Sequence, residues 1–162
     1  MTIRLLSIVF FMQATTAFAQ SDLSGTWALQ NKQHVSGPDY ANALPKQITI
    51  NKQADSLIIE SVNMGAEGQD VTSKQAVAIN GKSVTGVSPS QRRLIRSIKW
   101  TEDKKGLILT TVFYRVGNPT EIDFTRIETL SLSADGKQLN IDKKSEETQS
   151  ETWQVKGVYA RK

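Results

Sequence analysis

Apolar and polar residues alternate along most of the chain, in short runs bounded by glycine, asparagine, aspartate and lysine. A period of two is typical of strands that bury one face, and no convincing period of 3.6 follows the N-terminal segment. The predicted strands span residues 25–30, 46–52, 57–63, 71–79, 94–102, 107–116, 122–133, 138–144 and 152–160. The pattern therefore predicts an all-β protein.

Most links between these strands are short turns. Asn80-Gly81 and Asp135-Gly136 are typical of primed hairpin turns with positive φ, and Lys104-Lys105-Gly106 is expected to act in the same way. Short links favour pairing between strands that follow each other in the chain. We therefore predict an antiparallel up-and-down meander that closes into a single barrel of about 8–10 strands, because closure removes exposed sheet edges.

One link is much longer than a hairpin loop of about 2–5 residues. Residues 31–45 are polar and include Gly37-Pro38-Asp39. We interpret this segment as a lid or Ω-loop over the barrel mouth, and a disordered surface loop is the alternative.

The N-terminus has the three-part layout of a secretory signal peptide. Arg4 precedes an apolar run at residues 5–12, and Ala17-Phe18-Ala19 forms an A-x-A cleavage site. The apolar run is shorter than the roughly 20 residues that a membrane-spanning helix needs. We expect a signal peptide at residues 1–19 and an exported domain at residues 20–162, located in the periplasm or outside the cell.

Removal of residues 1–19 leaves 162 − 19 = 143 residues, which suits one domain. Without Arg4, 19 basic and 16 acidic residues give a net charge of +3, too small to favour a nucleic-acid partner. The chain has no cysteine, so disulfides, thiol chemistry and a lipid anchor on cysteine are excluded. No later stretch is apolar enough to span a membrane.

Gly25-Thr26-Trp27 opens the first predicted strand. This G-x-W pattern resembles the first signature of the lipocalin and calycin group, and the long loop, the meander and the late basic residue Arg161 are similar as well. The resemblance implies a lipocalin-like barrel. It also implies that Trp27 plugs one barrel end, with Arg161 packed on it where the barrel closes.

No catalytic, metal or cofactor site is predicted. His34 is the only histidine, and its proximity in sequence to Ser36 and Asp39 is not the geometry of a catalytic triad. A single histidine also cannot build a metal site with several histidine ligands. An enzymatic activity is therefore the less favoured interpretation.

Charged residues fall on faces that are otherwise apolar. Strict alternation puts Arg96 on the face of Leu94 and Trp100, and puts Arg126 and Glu128 together on a later strand. Inward charges imply a salt bridge, a wet cavity or a bound anion, whereas a β-bulge would turn Arg96 outward. The candidate ligand-binding residues are Arg96, Arg126, Glu128, Trp100 and, in the long loop, Tyr40.

These observations favour an extracytoplasmic binding module for a small apolar or amphipathic molecule with a possibly acidic head group. One alternative is a filled barrel that acts through its surface as an interaction, inhibitor or envelope accessory protein. The other is an enzyme that uses carboxylates or arginine in the cavity. No protein partner is identified.

Export can be tested directly on the protein purified from its own host. We expect the protein outside the cytoplasm, with an intact mass that corresponds to a chain beginning at Gln20. A cytoplasmic protein that still begins at Met1 would contradict the signal-peptide interpretation.

Overall fold

The computed structural model describes residues 21–162, so the predicted signal peptide lies outside the described residues. Within them, the only helical element is a short 3-10 helix, Asp39–Ala41, and none is long and apolar enough to cross a membrane. The strands are β1 (Gly25–Ser36), β2 (Gln47–Gln53), β3 (Ser56–Met64), β4 (Asp70–Ala78), β5 (Val84–Val87), β6 (Arg93–Trp100), β7 (Gly106–Arg115), β8 (Asn118–Leu132), β9 (Gln138–Glu147) and β10 (Trp153–Arg161).

All ten strands belong to one antiparallel sheet with the order β4-β3-β2-β1-β10-β9-β8-β7-β6-β5. The sheet curves until its two edge strands, β4 and β5, face each other without hydrogen-bonded pairing. The result is a nearly closed barrel with one open seam between β4 and β5. The predicted all-β meander is confirmed, and the strand number lies at the upper end of the predicted range.

The prediction of a hairpin at Asn80-Gly81 is wrong, because the strands on its two sides, β4 and β5, do not pair. Gly81 has the expected positive φ of 78°, but the turn leads from β4 across the seam to β5. Strand β5 has four residues and pairs only with β6, on the side away from β4. Its short Val-Thr-Gly-Val sequence also explains why the alternation did not predict it.

Strand β1 is longer than predicted and runs through residues that we interpreted as loop. It pairs with β10 as far as Ser36, with register shifts between Leu29 and Asn31 and between His34 and Ser36. These bulges disturb the alternation, so the second half of the strand resembles a polar loop in sequence. The true connection to β2 is residues 37–46, and His34 lies in a strand.

Two predicted turns have the expected glycine but a different geometry. Gly136 has a φ of 70°, whereas Asp135 is not among the residues with positive φ, so the turn is not of the primed type. Instead, the Asp135 carboxylate accepts hydrogen bonds from the Ser133 hydroxyl at 2.6 Å and the Lys137 amide at 3.1 Å. In the other turn, Lys104 supplies the positive φ of 57°, and Gly106 is the first residue of β7.

The barrel end that contains the first residues of β1 and the last residues of β10 is filled and is called the closed end here. Trp27 is fully buried there, and its indole Nε1 donates to the Leu23 carbonyl at 3.1 Å. The Arg161 guanidinium lies 4.4 Å from the centre of the Trp27 ring and donates to the Ser24 carbonyl. A Cβ on Gly25 would lie 2.6 Å from Arg161 Nη1, so the glycine makes room for this stack.

A continuous apolar core occupies the half of the barrel next to the closed end. Alternate positions of the long strands supply its side chains, as expected for a sheet with one buried face. Its buried members are Leu23, Trp27, Ile48, Ile50, Leu57, Ile59, Val77, Ile98, Leu107, Leu109, Leu130, Leu139, Ile141 and Tyr159. Side chains therefore fill the half of the barrel that lies next to the closed end.

The connection at residues 37–46 packs on the opposite, open end of the barrel. Ala41 and Leu44 contact Trp153 and Val155 in a second apolar cluster. The buried Tyr159 hydroxyl donates to the Pro45 carbonyl at 2.9 Å, and burial raises the pKa of this hydroxyl, so it stays protonated as a donor. These contacts hold the segment against β10.

The fit of this segment can be tested at Gly37, which has a φ of 91° and lies against the Cα and Cβ of Trp153. Gly117 is a matched control, because its φ is 80° and a Cβ there would meet no atom within 4 Å. We expect Gly117→Ala to lower the free energy of unfolding by about 1 kcal/mol through backbone strain. Gly37→Ala should cost about 3 kcal/mol, because overpacking adds to that strain. Equal losses in urea denaturation would contradict the packing described.

Candidate ligand-binding site

The interior of the barrel changes from apolar to polar towards the open end. A cavity of about 450 Å³ lies there, between β3, β4 and the β5–β6 turn on one side and β6 to β9 on the other. A small void below it, lined by Ile48, Ile59, Leu109 and Leu130, leads to the apolar core. The cavity thus has a polar upper part and an apolar floor.

Five charged side chains line this cavity: the exposed Lys74 on β4, Arg96 on β6, Arg126 and Glu128 on β8, and Lys143 on β9. The β6–β7 ladder has no register shift, so Arg96 keeps the inward parity of its apolar neighbours and the alternative with a β-bulge does not occur. Glu128 and Lys143 are direct partners in the β8–β9 ladder, and Lys143 Nζ lies 3.6 Å from Glu128 Oε1.

The two inward arginines have no acceptor of their own. In residues 21–162, neither guanidinium group donates a hydrogen bond to a protein group or lies within 4 Å of a carboxylate oxygen, and both Nε atoms are buried without a partner. Burial lowers the pKa of Arg96 and of Arg126, and the Glu128 carboxylate acts in the opposite direction. Because arginine stays protonated in proteins, the cavity contains two charged groups whose donors are unused.

Aromatic rings hold Arg126 in place. Its guanidinium carbon lies 5.3 Å from the centre of the Phe113 ring, 5.0 Å from that of Phe124 and 5.5 Å from that of Trp153. Phe113 and Phe124 stack on each other, with their ring centres 4.4 Å apart. Ring faces attract a cation but accept no ordinary hydrogen bond, so Arg126 is positioned and its N–H groups stay available.

A second cavity of about 340 Å³ lies beneath residues 41–43 and shares Arg126 and Lys143 with the first. Glu147 lines it and accepts hydrogen bonds from Ser145 Oγ at 2.6 Å and from Trp153 Nε1 at 3.1 Å. Burial lowers the pKa of Lys143, Glu128 raises it, and the charge of Arg126 lowers it further. Together the two cavities have four cationic and two anionic side chains, a surplus of two positive charges.

The structure brings together three of the five residues that the sequence indicated as ligand-binding: Arg96, Arg126 and Glu128. Trp100 lies instead at the closed end, beside a separate cavity of about 280 Å³. The side chain of Tyr40 lies outside the described part of the structure, although its backbone belongs to the 3-10 helix. Their roles in binding remain predictions.

Lys143 and Trp153 were missed as site residues. The alternation that identified Arg126 also applies to β9, where Leu139, Ile141 and Lys143 occupy successive inward positions. The alternation of inward and outward positions along β9 would therefore have identified Lys143 as an inward residue. Trp153 starts β10 directly after a turn, and only the packing of residues 37–46 shows that it faces the cavity.

The meander, the filled closed end and the stack of Arg161 on Trp27 define a lipocalin-like barrel of the calycin type. Among solved structures, the chain is similar to zebrafish ileal bile acid-binding protein in complex with cholic acid. That match has a TM-score of 0.50 and 12% sequence identity, and it covers 86% of this chain and 98% of the other. No protein-family model matches the chain, and no curated protein matches its sequence.

Glu128 is the only carboxylate that directly pairs with a cavity cation in the described structure, so its charge should stabilise the fold. We expect Glu128→Gln to lower the free energy of unfolding by about 2–3 kcal/mol, because Lys143, Arg96 and Arg126 would then repel one another in a partly desolvated interior. Adding Lys143→Met should restore part of this loss. Chemical denaturation at pH 7 measures both effects.

A matched control is Glu121→Gln at the barrel rim. Glu121 pairs with Arg115 at 2.7 Å, but both side chains are more exposed to solvent. Its loss should cost less than about 1 kcal/mol. Equal costs for the two glutamates would show that the interior charges are fully hydrated.

Proposed function

We propose that this protein is an extracytoplasmic binding module that holds one small amphipathic molecule with an acidic head group beside Arg96 and Arg126. The observation that carries this proposal is the pair of inward guanidinium groups without protein acceptors, each with a buried Nε atom that has no partner. A buried cation that lacks a counter-ion is costly, and a carboxylate or phosphate would supply both charge and acceptors.

Geometry and size support the same kind of ligand. Arginine offers two parallel N–H groups, which match the two oxygens of a carboxylate. The cavity volume of about 450 Å³ lies within the range of about 300–1,000 Å³ that is common for small-molecule sites. The apolar floor, formed in part by Ile59 and Leu109, would receive an apolar part of the ligand.

Two further observations support parts of the proposal. The zebrafish neighbour is a bile acid-binding protein in complex with cholic acid, which is itself an acidic molecule. The N-terminal sequence, with Arg4, an apolar run and an A-x-A site, supports the extracytoplasmic location.

A second candidate function is favoured by the apolar core, which fills the closed half of the barrel. In that case the barrel would be a scaffold, and a protein partner would recognise its surface. Native mass spectrometry of protein from its own host separates the two candidates, because a small molecule bound at one to one is expected only of the binding module.

Cholate and its uncharged methyl ester provide a direct test of the acidic-head proposal. We expect Arg126→Met to weaken cholate binding by about tenfold to a hundredfold, because a charge-assisted hydrogen bond is lost, and to leave the ester little affected. Arg96→Met should act in the same direction. Trp153 lies 5.5 Å from Arg126 and provides a fluorescence signal for the titration.

Arg115→Met is the control, because this arginine pairs with Glu121 at the rim and does not line the cavity. It should leave the affinity for both ligands unchanged. Equal cholate affinity in wild type, Arg126→Met and Arg96→Met would refute the proposed head-group site.

A further inference from the structure

The cavity wall opposite Arg96 and Arg126 consists mainly of neutral polar side chains, and its one charged member is the exposed Lys74 of β4. The inward positions of β3 and β4 are apolar near the closed end and become polar where the cavity begins. We call its four neutral residues the polar wall: Ser61 and Asn63 on β3 and Ser73 and Gln75 on β4. Because the same two strands change from apolar to polar side chains at the level of the cavity, the wall is a distinct surface and not part of the core.

The hydrogen-bonding groups of the polar wall are not used by the protein. Across residues 21–162, none of these four side chains hydrogen-bonds to another protein group, although Asn63 and Gln75 each present an acceptor and two donors. Thr111, buried between the ladder positions of Arg96 and Arg126, adds a hydroxyl on the cationic side. An alkyl chain in this cavity would desolvate these groups without replacing their hydrogen bonds.

The facing wall offers an apolar platform of limited size. Phe113 and Phe124 stack with their planes 24° apart, and both rings line the cavity between Arg126 and the open end. A compact ring with one apolar face can pack on these aromatic rings while its edge points towards the polar wall. The cavity therefore presents an anion site, an apolar platform and a row of neutral hydrogen-bonding groups.

We infer that the ligand of this cavity is a hydroxyl-rich acid of the sugar-acid class, with its carboxylate at Arg96 and Arg126 and its hydroxyls on the polar wall. This inference rests on the proposed function and specifies the part of the ligand beyond the acidic head. Hydroxyl groups act as donors and acceptors, so they satisfy the mixed groups of Asn63 and Gln75. The ring carbons would lie on Phe113 and Phe124.

Three probe molecules separate the requirement for a carboxylate from the requirement for hydroxyl groups. Glucuronate has a carboxylate and several hydroxyls on a six-membered ring, cyclohexanecarboxylate has the carboxylate without hydroxyls, and glucose has hydroxyls without the charge. We expect glucuronate to bind to the wild-type protein at least tenfold more tightly than either of the other two. Isothermal titration calorimetry, supported by ligand-observed NMR for weak binding, measures the three affinities.

The double variant Asn63→Leu with Gln75→Met removes hydrogen-bonding groups from the polar wall at nearly constant volume. It should weaken glucuronate binding about tenfold and leave cyclohexanecarboxylate binding unchanged or stronger. Gln33→Met is the control, because Gln33 is exposed on β1 and lies outside the cavity, so its affinities should equal those of wild type. Circular dichroism and thermal unfolding confirm that each variant folds.

The possible outcomes separate this inference from the proposed function. If cholate binding depends on Arg126 but glucuronate binds no better than cyclohexanecarboxylate, the acidic-head site stands and the sugar-acid class is wrong. Equal weakening of both acids by the double variant would also overturn the inference, because the polar wall would then act only on the shape of the cavity. If no acid binds, both proposals fail.

Discussion

The antiparallel pairing of β1 with β10 is the constraint on which the rest of the barrel depends. It joins the two ends of the described chain in one ladder, with β2 to β4 following on the outer side of β1 and β9 to β5 on the outer side of β10. The same pairing places Trp27 opposite Arg161 and creates the stack that fills the closed end. Because this closure lies between the first and last strands, the sheet edges fall in the middle of the sequence, at β4 and β5.

Alternation predicted the features that depend on burial alone. Arg96, Arg126 and Glu128 were placed on the inward face from a period of two, and the structure shows them around one cavity. The prediction succeeded because β6 and this part of β8 pair with β7 without a register shift. On β1, by contrast, two bulges interrupt the period, and the second half of that strand was interpreted as a loop.

Features that depend on packing between distant segments were not predictable in the same way. The seam arises because β5 is short and pairs only with β6. The sequence around Asn80-Gly81 does not show whether the strands on its two sides pair with each other. The aromatic surroundings of Arg126 combine side chains from β7, β8 and β10, and a single strand's pattern shows no more than one of them. The location of Trp100 away from the arginines has a similar cause, because alternation gives the face of a residue and not its height in the barrel.

The seam between β4 and β5 also affects how the cavity responds to its contents. In a fully hydrogen-bonded barrel the circumference is fixed by the ladders, and widening the interior breaks backbone hydrogen bonds. Here the junction between β4 and β5 has no hydrogen-bonded ladder, so a movement of β4 relative to β5 and β6 would break none of the existing ladders. Ser73 and Gln75 are on the strand that borders this junction. The circumference of the barrel can therefore increase at the β4 side of the cavity without loss of backbone hydrogen bonds, so larger and smaller ligands would cost the fold similar energy.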